Sequence, residues 1–268
     1  RANEFYLAAK KYYEKSNDAK SLMLVINNLA MINREQKKYA TAIALYRTAL
    51  DNPQKVKDSS AISKLLQGIG ITYDLMLNSD SAIWYYKLAL GINRRNNFSL
   101  GIAENLTNLG ISYNDIHQYT VAYQYYMESL QLFKILNRPY NISQLQTDIA
   151  ELYINAPDSF FSRETIPIRE RYIRAIVLLK NTITRCEQEG TQDTEQVAWN
   201  SLSGAYAKVG NYKKAYEAIT KAMLLKDSIL NEEKIEATTL QNARADFDKK
   251  EAVLLATHEV ELIEQKKV

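Results

Sequence analysis

Histidine and cysteine, the side chains that most often bind metals or act as nucleophiles, are scarce in these 268 residues: His117, His258 and Cys186 are all there is. A structural or catalytic metal site needs several imidazoles or thiolates converging on one point, and two histidines cannot build one. His258-Glu259 opens like a zinc-protease helix, but the second histidine would stand at 262, where the chain has Leu262. His117 falls between two helical patterns and reads as a solvated or capping residue. Cys186 has no nearby histidine in sequence, and a lone cysteine usually behaves as a small buried hydrophobe. It cannot form an internal disulfide, and that absence leaves the compartment open. No phosphate-cradling glycine loop, nucleophile elbow or dinucleotide fingerprint occurs. The expectation is a chain that is not an enzyme, with no catalytic, cofactor-binding or metal-binding residue.

Charge points the same way. Lys plus Arg number 34 and Asp plus Glu 31, so the net charge is 34 − 31 = +3, with the signs interspersed. That is no electrostatic footprint for nucleic acid. The basic pairs Arg94-Arg95, Lys249-Lys250 (flanked by Asp248 and Glu251) and Lys266-Lys267 read as solvated helix faces. No run approaches the ~18 apolar residues of a membrane span, no signal peptide opens the chain, and no basic amphipathic helix lies ready for a bilayer surface. A start at Arg1 without Met reads as a cut within a longer protein.

The elements that must position any binding residues announce themselves by repetition. Ala2, Ala42, Ala82 and Ala122 are spaced by forty; so are Tyr6, Tyr46, Tyr86 and Tyr126, and Ala9, Ala49, Ala89 and Ser129. Ala30, Gly70, Gly110 and Ala150 share the period, with Tyr73, Tyr113 and Tyr153 following three residues behind the last three of these. Such periods mark stacked repeats. Within a unit, Leu65, Leu66, Ile69, Tyr73 and Met76 lie on one helical stripe, Asn78-Ser79-Asp80 interrupts it, and Ile83, Tyr86 and Leu90 resume it. With 8 Gly and 4 Pro there is little material for the turns of a β-fold. The fold class is all-α: helical hairpins in a solenoid, the small residues sitting where two helices cross closely and Tyr and Leu filling the wider gaps.

These columns resemble the tetratricopeptide repeat, W-x-x-L-G-x-x-Y followed by A, an aromatic and A. Trp199, Leu202, Tyr206, Gly210, Tyr212, Ala215 and Ala222 carry the pattern best, while Asn33 and Ser203 depart from it. The resemblance implies a right-handed superhelix, here with a period of forty in place of thirty-four, from longer second helices or longer inter-repeat turns. The expected organisation is a truncated second helix at 1–16, hairpins at 20–54, 59–95, 99–136, 140–188 and 193–229, and a charged C-terminal helix at 230–268. The fourth hairpin carries an inserted loop, 155–167, whose Phe160 and Phe161 form either a plug on the array or an exposed contact. In the last segment Leu240, Phe247 and Leu254 recur at seven, but Ala243, Lys250 and Thr257 occupy the alternating seam positions. A homodimer through this helix and a helix packed on the end of the array both remain open.

The resemblance also implies that the first helices line an inner groove. Projected onto this chain, one groove column reads Asn27, Gln67, Thr107, Thr147 and Asn200. The next reads Met31, Ile71, Ile111, Glu151 and Gly204, and the third Arg34, Asp74 and Asn114. Uncharged donors and acceptors suit the backbone of an extended protein or peptide ligand. The Lys and Asn clamp by which chaperone-binding members hold a terminal carboxylate is not reproduced.

Finally, Lys226-Asp227-Ser228-Ile229-Leu230-Asn231-Glu232-Glu233-Lys234, followed by a charged helix, resembles the repeat-bearing input regions of Bacteroidetes-type sensor histidine kinases. That resemblance implies a periplasmic or extracytoplasmic sensor of a two-component system. It would be held to the membrane only by a downstream segment, and its C-terminal helix would relay binding to a kinase. The alternatives are a cytosolic peptide-binding regulator and an assembly scaffold.

Overall fold

Seven of the helices are 17 residues long, and the arithmetic of the repeat follows from that length. The computed structural model describes residues 19–51, 58–163 and 167–265, so the helix expected at 1–16 lies outside the described residues. Among those residues there are eleven helices and no strand: α1 (Ala19–Glu35), α2 (Tyr39–Leu50), α3 (Ser59–Leu75), α4 (Ser79–Arg95), α5 (Ser99–Asp115), α6 (Tyr119–Ile135), α7 (Pro139–Asn155), α8 (Asp158–Arg163), α9 (Ile168–Glu189), α10 (Gln192–Lys208) and α11 (Tyr212–Gln265). From α3 to α7, helices of 17 alternate with turns of three, so a hairpin plus its connection is forty residues. Helices of 17 residues in both halves of the hairpin account for the period, the second no longer than the first; the inter-repeat turns are as tight as those inside a hairpin.

One device closes these turns. Leu77, Asn97, His117 and Asn137 all have positive φ, as does Lys37 in the first hairpin. At the end of α3, Leu77 N–H donates to Asp74 O (2.8 Å) and Asn78 N–H to Tyr73 O (3.0 Å). This is the Schellman arrangement that satisfies the last carbonyls of a helix. Gly190 and Gly210 fill the corresponding places after α9 and α10 at no steric cost. His117 therefore serves as a helix cap in a left-handed conformation, its Nδ1 2.9 Å from the Tyr119 hydroxyl.

Packing explains the period-forty columns. Ala42, Ala82 and Ala122 are fully buried, and Tyr46, Tyr86 and Tyr126 beside them are 0%, 1% and 2% exposed. The Tyr86 ring lies so close to Gly70 that a Cβ there would stand 2.5 Å from it, and the Tyr126 ring leaves Gly110 only 2.4 Å. These glycines are required by close approach. A second tyrosine set clasps successive hairpins along an edge. Tyr73 and Tyr85 stack at 5.6 Å, and Arg47 of the preceding hairpin donates to both hydroxyls, at 3.2 and 3.3 Å. Forty residues on, Tyr113 and Tyr125 stack at 5.5 Å with the Lys87 ammonium 5.4 Å from the Tyr113 ring. Much of the count of 19 Tyr has these two structural causes.

The insertion after α7 is a correction to the expected loop, because α8 makes it partly helical. Phe160 and Phe161 are buried, ringed by Tyr119, Tyr123 and Tyr153. Arg171, 6% exposed, locks the segment down: it donates to Ala156 O (2.7 Å), pairs with Asp158 (3.2 Å), bonds the Tyr172 hydroxyl and lies 4.6 Å from the Phe161 ring. The segment plugs the array. At the other end, no Gly or Pro separates the last hairpin from the charged segment, and the two form the single 54-residue helix α11. That helix is about 80 Å long at 1.5 Å per residue, whereas its partner α10 has 17 residues.

Candidate functional site

The order of contacts fixes which face is inner. Beyond packing within hairpins, the first helices touch one another in series: α1 with α3, α3 with α5, α5 with α7, and α7 with α10. The second helices make no comparable series, so they are splayed outward and the first helices form the concave rail.

Along that rail the expected groove residues divide into spent and available groups. Asn27, half-buried, donates to Met31 Sδ (3.4 Å), and Met31 is 37% exposed. Gln67, half-buried, donates to Glu104. Thr107 lies 2.8 Å from the Ser129 hydroxyl and donates to Ala103 O, while Thr147 is buried and donates to Ser143 O on its own helix. Both hydroxyls are satisfied within the fold. Asn200 is exposed. Ile71 and Ile111 are half-buried and pack on the core clusters beneath them, and Glu151 accepts from the Ser201 hydroxyl at 2.6 Å, tying α7 to α10.

The third column meets the buried tyrosines. Tyr86 donates to Asp74 Oδ2 at 2.8 Å, and Ser112 donates to both Asp74 oxygens at 3.0 Å. Burial holds the Asp74 carboxyl above its usual range, against the effect of those two donors. In the first hairpin Arg34 takes the equivalent position, a cation that cannot accept, and the buried Tyr46 hydroxyl has no hydrogen-bond partner. In the third hairpin Asn114 stands there, its buried Oδ1 likewise unpartnered. Burial, and after it the negative charges of Asp148, Asp115 and Glu151, holds the Tyr126 hydroxyl above its usual pKa range.

Asp148 is the residue that column projection missed. Burial, then the neighbouring Glu151 carboxylate, pushes its pKa up to about 7. Asp115 is raised by burial as well, with His117 opposing, and so is Glu104, opposed by Gln67, Lys64 and Arg138. A signal was present in the sequence: Asp148 continues a period-forty column otherwise made of Asn28, Gly68 and Asn108. At Gly68 the preceding hairpin's tyrosine hydroxyl lies 2.8 Å from where a Cβ would be, so a carboxylate in that column is brought against Tyr126. Among the described residues no group of histidine, cysteine and acidic side chains is arranged to hold a metal ion. None of the described helices is long and apolar enough to cross a membrane.

Comparison with known proteins agrees with this architecture. Tetratricopeptide repeat family models match residues 21–95 and residues 197–228. The solved structure of BtubC (BKLC) from P. vanneervenii superposes with a TM-score of 0.68 at 20% identity, over 85% of this chain and 89% of that one. Aspartyl phosphate phosphatase F from Bacillus subtilis gives 0.64 at 16% identity, over 81% and 55%. A Rap protein complexed with Competence and Sporulation Factor gives 0.62 at 19% identity, over 77% and 55%. No curated protein sequence matches the chain. The chain is thus a tetratricopeptide-type helical solenoid carrying recognisable repeats near both ends, and at these identities the solved neighbours establish the fold alone.

Proposed function

We propose that this chain is a binding module that holds an extended segment of a protein or peptide along its concave face. The observation that carries the reading is the inner rail of α1, α3, α5 and α7, on which the half-buried amides of Asn27 and Gln67 share a surface with exposed apolar groups such as Met31. Such surfaces suit an extended chain, whose every residue offers a donor and an acceptor. The neighbouring Rap structure, solved in complex with Competence and Sporulation Factor, supports a ligand-binding role for this fold.

Within that reading the module serves signal transduction. The passage Lys226–Lys234 and the projecting α11 favour an input domain of a membrane-bound, two-component histidine kinase, the repeats lying outside the cytoplasm and α11 acting as the lever. The likeness to Rap proteins favours the alternative, a cytosolic peptide-binding regulator. A ligand moves a lever only if it binds two states with different affinity.

Selection of a displayed random dodecapeptide pool on the intact chain, with Met31→Trp/Gln67→Trp as comparison, tests the binding claim. Peptides enriched on the first and not on the second are expected. Equal enrichment on both, or none on either, would remove the concave face as the binding surface.

A further inference from the structure

The tyrosine clasp along the edge of the array recurs at the last junction with one part missing. Its first tyrosine holds the same place in every first helix that carries it: Tyr73 of α3, Tyr113 of α5, Tyr153 of α7 and Tyr206 of α10. Its second tyrosine stands three residues after a buried alanine, as Tyr85 after Ala82 and Tyr125 after Ala122. Its cation stands five residues after the buried alanine of the preceding hairpin, as Arg47 after Ala42 and Lys87 after Ala82. Where α9, α10 and α11 meet, two of the three parts are kept. Lys180 stands five residues after Ala175 and Tyr206 is in place, but three residues after Ala215 comes Ala218. Between α7 and α9 the second ring is also absent, replaced by Leu178, and there Phe161 of the insertion lies 5.9 Å from Tyr153. Among the described residues no ring pairs with Tyr206.

The missing ring leaves a space. A cavity of about 390 Å³ opens at this junction, with Lys180, Tyr206 and Ala218 all in its wall. Pockets for small organic groups run from about 300 to about 1,000 Å³, so a single aromatic ring is well within its capacity. Leu202 and the half-buried Trp199 add apolar wall, and Trp199 is held by its Nε1 donating to Glu195 at 3.1 Å. Ammonium groups stand over both rings: Lys214 Nζ is 5.7 Å from the Tyr206 ring and Lys221 Nζ is 5.4 Å from that of Trp199. Glu187 and Glu217 also line the cavity, so cations and carboxylates nearly balance. That balance suits a neutral ring with a polar tip better than a phosphate or a carboxylate. A phenol meets both needs, with a flat face for the aromatic wall and an oxygen that accepts from an ammonium.

We propose that this cavity receives the tyrosine side chain of a bound protein segment, its ring stacked on Tyr206 and its hydroxyl accepting from Lys180. The molecule itself supplies the precedent. Tyr85 stacks on Tyr73 at 5.6 Å and shares Arg47 with it, and Tyr125 stacks on Tyr113 at 5.5 Å beside Lys87. An incoming tyrosine completes the last clasp from outside the chain. None of the residues projected onto the concave groove lines the cavity, so the site is separate from groove binding. A partner held here touches α9, α10 and α11 together, the last being the helix that runs on beyond the array.

Trp199 in the cavity wall serves as the reporter, once Trp84→Phe has removed the other tryptophan from its exposed site on α4. The intact chain with that substitution is titrated with the capped peptides Ala-Ala-Tyr-Ala-Ala, Ala-Ala-Phe-Ala-Ala and Ala-Ala-Ala-Ala-Ala, exciting where tyrosine does not absorb. The tyrosine peptide is expected to change Trp199 emission saturably. The phenylalanine peptide should bind about fivefold more weakly, for want of one hydrogen bond, and the alanine peptide should give no response. Ala218→Tyr refills the space from within and should abolish binding of both aromatic peptides. Lys180→Met changes an exposed side chain and should leave the two aromatic peptides bound equally; circular dichroism verifies that each variant keeps its helix content, and Lys180→Met decides the matter if Ala218→Tyr does not. No saturable response to the tyrosine peptide, an equal response to the alanine peptide, or a tyrosine preference that survives Lys180→Met would overturn the proposal. Binding of free p-cresol where the tyrosine peptide fails to bind would transfer the site to a small phenol and overturn it as well. Groove-dependent enrichment from the random pool is a separate readout, and the groove reading stands or falls on that alone.

Discussion

Asp148 shows what a single half-buried carboxylate does to this molecule's response to pH. Its pKa in the folded chain is about 7 against an ordinary 3.8, so between those values the folded state holds a proton that the unfolded chain gives up. Stability therefore falls as pH rises from about 4 to about 7 and is then flat for this group. Asp74, Asp115 and Glu104 are raised too and act in the same direction. Urea denaturation should give a lower midpoint at pH 7.5 than at pH 5. Asp148→Asn should lessen that fall and raise stability at pH 7.5 by on the order of 1–2 kcal/mol, because an amide carries no charge to desolvate. A midpoint that rises over this interval, or a variant less stable than the parent at pH 7.5, would refute the burial argument. The groove was only partly legible at this scale. Position in the repeat located Asp74 and Asn114 on the inner rail, but it could not tell that Thr107 and Thr147 spend their hydroxyls on backbone carbonyls. Nor does a column of residue types reveal that Asp148 is raised by burial and by Glu151.

At the scale of the element, the turns and the insertion carry the testable strain and anchorage. Leu77 has φ of 57° and is 92% exposed, so it supplies nothing to the core while occupying a conformation that hinders a Cβ. Leu77→Gly should raise stability by about 1 kcal/mol, the left-handed penalty less the entropy glycine gains in the unfolded chain; thermal denaturation would read this, and a lowered Tm would contradict it. Arg171 offers the opposite case. It holds Ala156 O, Asp158 and the Phe161 ring at once, so Arg171→Met should release α8 while leaving the flanking helices in place. Limited proteolysis should then cleave between 156 and 167 at least several-fold faster, and an unchanged rate would show that Phe160 and Phe161 suffice as the anchor. The insertion was visible in sequence as an interruption of period, but its helical turn was not. Six residues are too few to show periodicity, and the helix exists through tertiary contacts. The long helix was legible from the absence of breakers, whereas its continuity with the last hairpin was masked by the boundary of the repeat pattern.

The whole molecule was the most legible level, for a physical reason. Close helix crossing restricts Ala42, Ala82, Ala122, Gly70 and Gly110 to the smallest side chains, and the tyrosines packed against them are constrained in turn. Constraint imposed once per hairpin becomes a period in the sequence. The groove chemistry, by contrast, arises between hairpins and carries no such period. Everything functional in this account follows from the splaying of the hairpins, which places α1, α3, α5 and α7 on one continuous inner face. Amide hydrogen exchange with and without a peptide enriched from the random pool tests that most directly. Slowed exchange on those first helices, with α2, α4 and α6 little changed, is the predicted footprint; protection confined to the second helices or to α11 would contradict it.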